Sequence, residues 1–262
     1  MFIDVHAHLS GDEYESVGGV AGVLSRASEA GVAVVIASGF DLASSLQSLQ
    51  IAKEHENVYF CAGFHPSELA KWKEGDLERL REVCLHPKCV AVGEIGLDYH
   101  FENNPSRETQ RAAFVEQLQL ANELGLPVVI HSRDAAEETL ELLQEHEGLL
   151  KAGGLMHCYS YSPEMLLRFA KLGLHFSFGG TATFKNAKKV HESVRLVPAH
   201  RILSETDCPY LTPTPYRGVF PNEPKHIPLV VKQLAELRQE KEEHLEACIW
   251  ANACALFPKL RK

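Results

Sequence analysis

Residues Ala112–Ser132 read AAFVEQLQLANELGLPVVIHS, and they hold a helix, its stop and the strand that follows. Phe114, Leu118, Ala121 and Leu124 recur at helical spacing, which predicts an amphipathic helix near 106–124. Gly125 and Pro127 end it, because glycine tolerates the left-handed turn after a helix and proline cannot donate the next helical hydrogen bond. The apolar run Val128-Val129-Ile130 then opens a strand that ends on His131.

The same alternation runs outward to both ends of the chain. Strands are expected near 2–9, 32–38, 58–63, 90–97, 127–132, 154–159, 175–179 and 201–206. Helices are expected near 19–30, 41–55, 76–85, 106–124, 135–146, 163–172, 185–195 and 226–239. No Gly/Ser linker or composition break divides these βα units. They therefore predict one domain over 1–262, an α/β fold closed into a (β/α)8 TIM barrel. Neither GxGxxG nor a P-loop is present, which disfavours the nucleotide-binding sheets. The proline-rich stretch from Cys208 to His226 is the longest irregular one and is expected to wall the site.

Composition narrows the function. At 262 residues and 45% hydrophobic the chain can bury one large core. Its net charge of −9, from 26 Lys+Arg against 35 Asp+Glu, argues against coating nucleic acid through a broad basic face. No run reaches the roughly 18 apolar residues of a membrane span, and the N-terminus reads as a strand without a signal peptide. Seven cysteines without a CxxC pair suit reduced thiols. A soluble, intracellular, monomeric protein is expected, in nucleus or cytoplasm, with no membrane and no obligate protein partner. The terminal Lys259-Leu260-Arg261-Lys262 is too short to read as a localisation signal.

Polar residues inside apolar strands mark the chemistry. In Phe2-Ile3-Asp4-Val5-His6-Ala7-His8, strand alternation puts Asp4, His6 and His8 on one face, so two imidazoles point into the barrel mouth. Glu94 interrupts Val90-Ala91-Val92-Gly93-Glu94-Ile95-Gly96-Leu97-Asp98, and a carboxylate there is costly to bury without a cation or an ion pair. Gly93 and Gly96 leave room for other groups to approach it. His131, His157 and Asp207 end later strands. All six residues fall at C-terminal strand ends, where barrel enzymes place their chemistry. Six N/O donors without cysteine suit Zn²⁺, Mn²⁺ or Mg²⁺, and six with a bridging carboxylate suggest two divalent cations. Cys158 and Cys208 follow a donor, face the other way by alternation and are expected to pack.

At these residues the sequence resembles the TatD family of metal-dependent deoxyribonucleases. FIDVHAHL at 2–9, GFHP at 63–66, VGEIGLDY at 92–99, PVVIHSRDA at 127–135, HCYS at 157–160 and SETDCPYL at 204–211 carry the likeness. The resemblance implies that His6, His8 and Asp207 hold one metal ion, that His131 and His157 hold a second, and that Glu94 bridges them. His65 would line the site. The implied activity is hydrolysis of DNA phosphodiester bonds through two-metal activation of water, chiefly as a 3′–5′ exonuclease, with abasic-site cleavage as a second activity. DNA ends, single strands or abasic sites would be the substrates.

On that reading Asp207 is the expected general base, Glu94 the bridging catalytic carboxylate, and His65 a stabiliser of the leaving oxygen. Arg133 would bind phosphate or form an ion pair with a neighbouring helix, and Lys185, Lys188 and Lys189 either steer DNA or form a solvated helix face. Asp4 and Glu205 are expected to orient imidazoles from behind. The chain departs from the family at Ser160-Tyr161, and Arg217-Gly218 is followed by Asn222-Glu223-Pro224 at one residue greater spacing. Two rivals remain. A small-molecule metallohydrolase of the same superfamily would often use a bridging lysine that strands four and five lack, and a non-catalytic metal-binding barrel would not need all six donors.

Overall fold

The computed structural model describes residues 1–261. Eight parallel strands lie in sequence order: β1 (Phe2–Ala7), β2 (Val32–Ser38), β3 (Val58–Ala62), β4 (Cys89–Asp98), β5 (Val128–Arg133), β6 (Gly154–Met156), β7 (His175–Phe178) and β8 (Ile202–Ser204). Helices follow them as α1 (Gly19–Glu29), α2 (Leu42–Glu54), α3 (Asp76–Cys84), α4 (Arg107–Leu124), α5 (Ala136–Glu145), α6 (Pro163–Lys171), α7 (Lys188–Leu196) and α8 (Ile227–Arg238). This is the (β/α)8 barrel that the alternation predicts. The stop after α4 falls at Gly125, whose φ of 64° is left-handed. Helix α2 begins on a capping box in which Asp41 and Ser44 satisfy each other's backbone donors.

The seam between β8 and β1 closes through residues just beyond β8. Asp207 N donates to His6 O at 3.0 Å, and His8 N donates to Cys208 O at 2.7 Å. Thr206 N donates to Asp4 Oδ1 at 3.0 Å, so a carboxylate stands in for a strand carbonyl. Thr206 Oγ1 lies 2.5 Å from Asp4 Oδ2. Asp4 is therefore a closure residue. It does not reach the His6 ring as the sequence reading expects; its Oδ1 accepts from His6 N at 3.3 Å instead. Burial pushes its carboxyl up to about 8, opposed by the bonds from Thr206.

Two further corrections concern element bounds. Strands β1, β6 and β8 end earlier than expected, at Ala7, Met156 and Ser204, and Cys158 (φ 45°) and Asp207 (φ 52°), just beyond the last two, are left-handed. A ninth helix, α9 (Glu242–Leu256), follows α8. Its Leu245, Ile249, Ala253 and Leu256 are buried at helical spacing, each such Leu or Ile contributing roughly 1.5–3 kcal/mol. Asn252 Nδ2 donates to Ala199 O and Ile202 O at 2.7 and 2.9 Å, fixing α9 against the start of β8.

The core lies between sheet and helices and inside the barrel. Every residue of β4 is buried. A Cβ on Gly93 would come within 2.6 Å of Val129 Cβ, and one on Gly63 within 2.8 Å of the Gly93 carbonyl carbon. These glycines let β3, β4 and β5 draw together beneath Glu94. All seven cysteines are free. Among the described residues, no helix is long and apolar enough to cross a membrane. Of the terminal basic run, residue 262 lies outside the described residues.

Candidate metal centre

Glu94 is 3% exposed and organises the mouth of the barrel. Its Oε1 lies 2.8 Å from His157 Nε2, 2.9 Å from His131 Nδ1 and 3.5 Å from His65 Nε2. Its Oε2 lies 3.4 Å from His6 Nε2 and 3.5 Å from His8 Nε2. Asp207 Oδ1 sits 3.4 Å from His8 Nε2 and 3.9 Å from His6 Nε2. The six sequence-selected donors are thus brought together, and Glu94 divides them. One oxygen faces the β5–β6 histidines, and the other faces the β1 pair with Asp207.

The outer edges of the rings are held too. Ser38, at the end of β2, lies with Oγ 3.0 Å from His6 Nδ1, and its carbonyl accepts from His8 Nδ1 at 3.1 Å. A carbonyl can only accept, so His8 carries its hydrogen on Nδ1 and turns the Nε2 lone pair inward. Asp98 Oδ2 lies 3.1 Å from His131 Nε2, which leaves His131 Nδ1 facing Glu94. Sequence reasoning missed Ser38 and Asp98. Asp98 carried a legible signal, since it shares strand parity with Glu94. Ser38 carried a weaker one, as the polar residue that ends the apolar run of β2.

Glu205 is fully buried behind His157, with Oε2 accepting from Ser177 Oγ at 2.5 Å. Its Oε1 and His157 Nδ1 lie 3.8 Å apart and neither has a hydrogen-bond partner. This is where the sequence reading put a residue behind an imidazole. Tyr161 ties the β6 loop to the β5 loop. Its hydroxyl lies 3.0 Å from Ser132 Oγ and accepts from Ala135 N at 3.3 Å.

Electrostatics divide the histidines. Burial pushes His6 down to about 4, helped by His157, and His65 down to about 3, helped by His131. Burial would also lower His157, but the Glu94 charge overrides it and holds it up at about 10. Burial would raise Glu94, yet the surrounding imidazoles, His157 first, keep it well below the carboxylate range. Lone pairs aimed at one point repel unless protons or cations lie between them. Four groups place their donor atoms within 4.8 Å of one another: His6–His8–Asp207, Glu94–His131–His157, His65–Asp98–His131 and His6–His157–Glu205. Imidazole and carboxylate with no thiolate is the donor chemistry of borderline to hard divalent ions, so these residues fit such an ion. Neither Cys158 nor Cys208 belongs to these groups. Cys208 is buried, and Cys158 stays partly exposed.

The expected phosphate ligands lie outside the cluster. Arg133 is exposed, with its guanidinium 5.0 Å from the Phe101 ring centre and no salt bridge among the described residues. The ion pair considered for it is absent. Lys185, Lys188 and Lys189 are exposed at and just before the start of α7.

Fold and centre define a (β/α)8 hydrolase whose site is built to hold metal. The sequence model of the TatD-related DNase family matches residues 3–258. The metal-dependent hydrolase YabD of Bacillus subtilis is 39% identical, the alignment covering 98% of this chain and 99% of YabD. The 3′-5′ ssDNA/RNA exonuclease TatD of Escherichia coli K12 is 33% identical, covering 90% of this chain and 91% of its own. The crystal structure of YjjV, a TatD homologue of E. coli K12, superposes with a TM-score of 0.92 at 32% identity, over 98% of both chains. The chain belongs to the TatD family and is a metal-dependent hydrolase.

Proposed function

We propose that this protein is a two-metal phosphodiesterase that hydrolyses DNA from its 3′ end, in which Glu94 would serve both metal sets. The split of Glu94 Oε1 and Oε2 between two donor groups carries the reading. The metal sets would be His6, His8 and Asp207 on one side and His131 and His157 on the other. Bound divalent cations would supply a water of lowered pKa and would offset phosphate charge. The likeness to a protein named as a 3′-5′ ssDNA/RNA exonuclease supports a single-stranded nucleic acid as substrate.

The chain's own groups then take distinct roles. Asp207 is held ionised by His8, His157 and His6 against the effect of burial, and it accepts the proton of the attacking water. His65 Nδ1 accepts from Ser67 N at 3.1 Å, which places the ring hydrogen on Nε2, the atom facing Glu94. A neutral His65 with Nε2–H inward donates a hydrogen bond to the departing 3′-oxygen. Arg133, without a carboxylate partner among the described residues, is free to take a neighbouring phosphate bidentately.

The test is Mn²⁺- or Mg²⁺-dependent cleavage of end-labelled single-stranded, duplex and abasic-site DNA, with RNA alongside. A chelator-sensitive ladder shortening from the 3′ end, lost in Glu94→Gln, is expected, with turnover down by at least about 10²–10³-fold. Stoichiometric metal binding without cleavage of any nucleic acid would overturn the reading and favour a small-molecule hydrolase.

A further inference from the structure

The exposed aromatic rings are confined to one end of the molecule. Phe101, Tyr210, Tyr216 and Phe220 are each about half exposed or more, and all four lie on loops that follow β4 or β8 at the barrel mouth. Elsewhere among the described residues the large exposed apolar side chains are Met and Leu. Tyr210 reaches the centre, its ring 6.5 Å from that of His8, and Phe220 stands 6.5 Å from Tyr210 at an interplanar angle of 41°. The two rings, 54% and 60% exposed, form an open wedge beside the metal donors.

The loop that carries them is pinned from within. Asn222 is fully buried, and its Nδ2 donates to Tyr210 O at 2.7 Å and Thr206 O at 3.1 Å. Asn222 N donates to Pro209 O at 2.8 Å, and Thr212 Oγ1 to Val219 O at 2.6 Å. The rings are thus held out in water, where each forgoes the burial that would stabilise it by roughly 1.5–3 kcal/mol. Cations flank them. Arg217 lies 4.1 Å over the Phe184 ring and Arg133 5.0 Å over Phe101, neither with a salt bridge among the described residues. Exposed rings held beside the candidate phosphodiester site, on a barrel end that also offers guanidinium groups with no salt bridge among the described residues, match the chemistry of an unpaired nucleotide chain.

We propose that Tyr210 and Phe220 form a stacking platform for unpaired nucleobases of the single strand whose phosphodiester lies at Glu94. The proposal rests on the phosphodiesterase reading above and adds how the substrate is held. It also explains how a chain of net charge −9 grips nucleic acid, since stacking does not need a basic face.

The test compares kcat/KM of the Mn²⁺-loaded enzyme on two 5′-labelled single-stranded oligonucleotides. One carries normal bases, and the other has base-free tetrahydrofuran at the positions flanking the scissile bond. The ratio of the two is expected to exceed one in the native enzyme and to fall about 5–10-fold in Tyr210→Leu and in Phe220→Leu, mainly through KM. Tyr210→Phe, which keeps the ring, is expected to retain the ratio. Metal content and melting temperature, measured for each variant, show that the change is not one of folding.

If the native enzyme cuts both oligonucleotides equally, or the Leu variants keep the native ratio, the platform is refuted while the phosphodiesterase reading stands. If no oligonucleotide is cut, that reading fails and takes the platform with it. Variants that alter self-association but not the ratio would assign the rings to contact between copies and overturn the proposal.

Discussion

Asp98 Oδ2 lies 3.1 Å from His131 Nε2, on the far edge of the ring whose Nδ1 is 2.9 Å from Glu94 Oε1. One strand, β4, thus supplies both the acid that His131 faces and the acid that holds it from behind. Such a carboxylate fixes the tautomer and raises the basicity of the inward nitrogen. Asp98→Asn is therefore expected to weaken metal binding about 10–100-fold. Calorimetric titration with Mn²⁺ or Zn²⁺ checks this, and an unchanged affinity would refute the role.

Donors that repel one another should be stabilised by the ion they hold. Adding divalent metal at about 100 times its Kd is expected to stabilise the fold by about 2.7 kcal/mol, raising the melting temperature by about 5–10 °C. Thermal unfolding with metal and with chelator measures it. Glu94→Gln should abolish most of the rise, since it removes the charge shared by both donor groups.

Gly96 is a spacer for His131. Its φ is 142°, and a Cβ there would lie 2.0 Å from His131 O. Gly96→Ala combines backbone strain with a clash against rigid backbone, and a loss of about 2–4 kcal/mol is expected from urea unfolding. Reduced metal affinity should accompany it, because relief of the clash moves His131.

His175, at the start of β7, is expected to shape acid stability. Burial pushes it down to about 4, and Arg201 and His200 repel its charged form. Its folded value lies below the ordinary 6.5, so the stability it contributes is complete above pH 6.5. That contribution is lost as pH falls from 6.5 toward 4. Across that window His175→Gln should flatten the fall in unfolding free energy by up to about 1.4 kcal/mol per pH unit. Equal slopes in variant and native protein would show that His175 does not titrate this way.

The residues themselves determined the barrel and most of its centre. Apolar runs of strand length alternate with helical spacing, and polar residues break those runs where burial is costly, so His6, His8, Glu94, His131, His157 and Asp207 stand out in the sequence alone. Helix α9 was legible in principle from Leu245, Ile249 and Leu256, but no βα unit required it.

Tertiary structure alone decided which partner each polar atom met. Strand parity shows which way Asp4 points, but the left-handed turn at Asp207 brings Thr206 to it and makes it a seam residue. Ser38 serves two histidines from the neighbouring strand, and parallel register is set by packing rather than by any local pattern. The placement of Tyr210 beside His8, with Phe220 next to it, is likewise fixed by Asn222, whose hydrogen bonds close a proline-rich loop without sequence periodicity. Periodicity reports the face on which a side chain lies. Distances between faces of different elements follow only from the closed barrel.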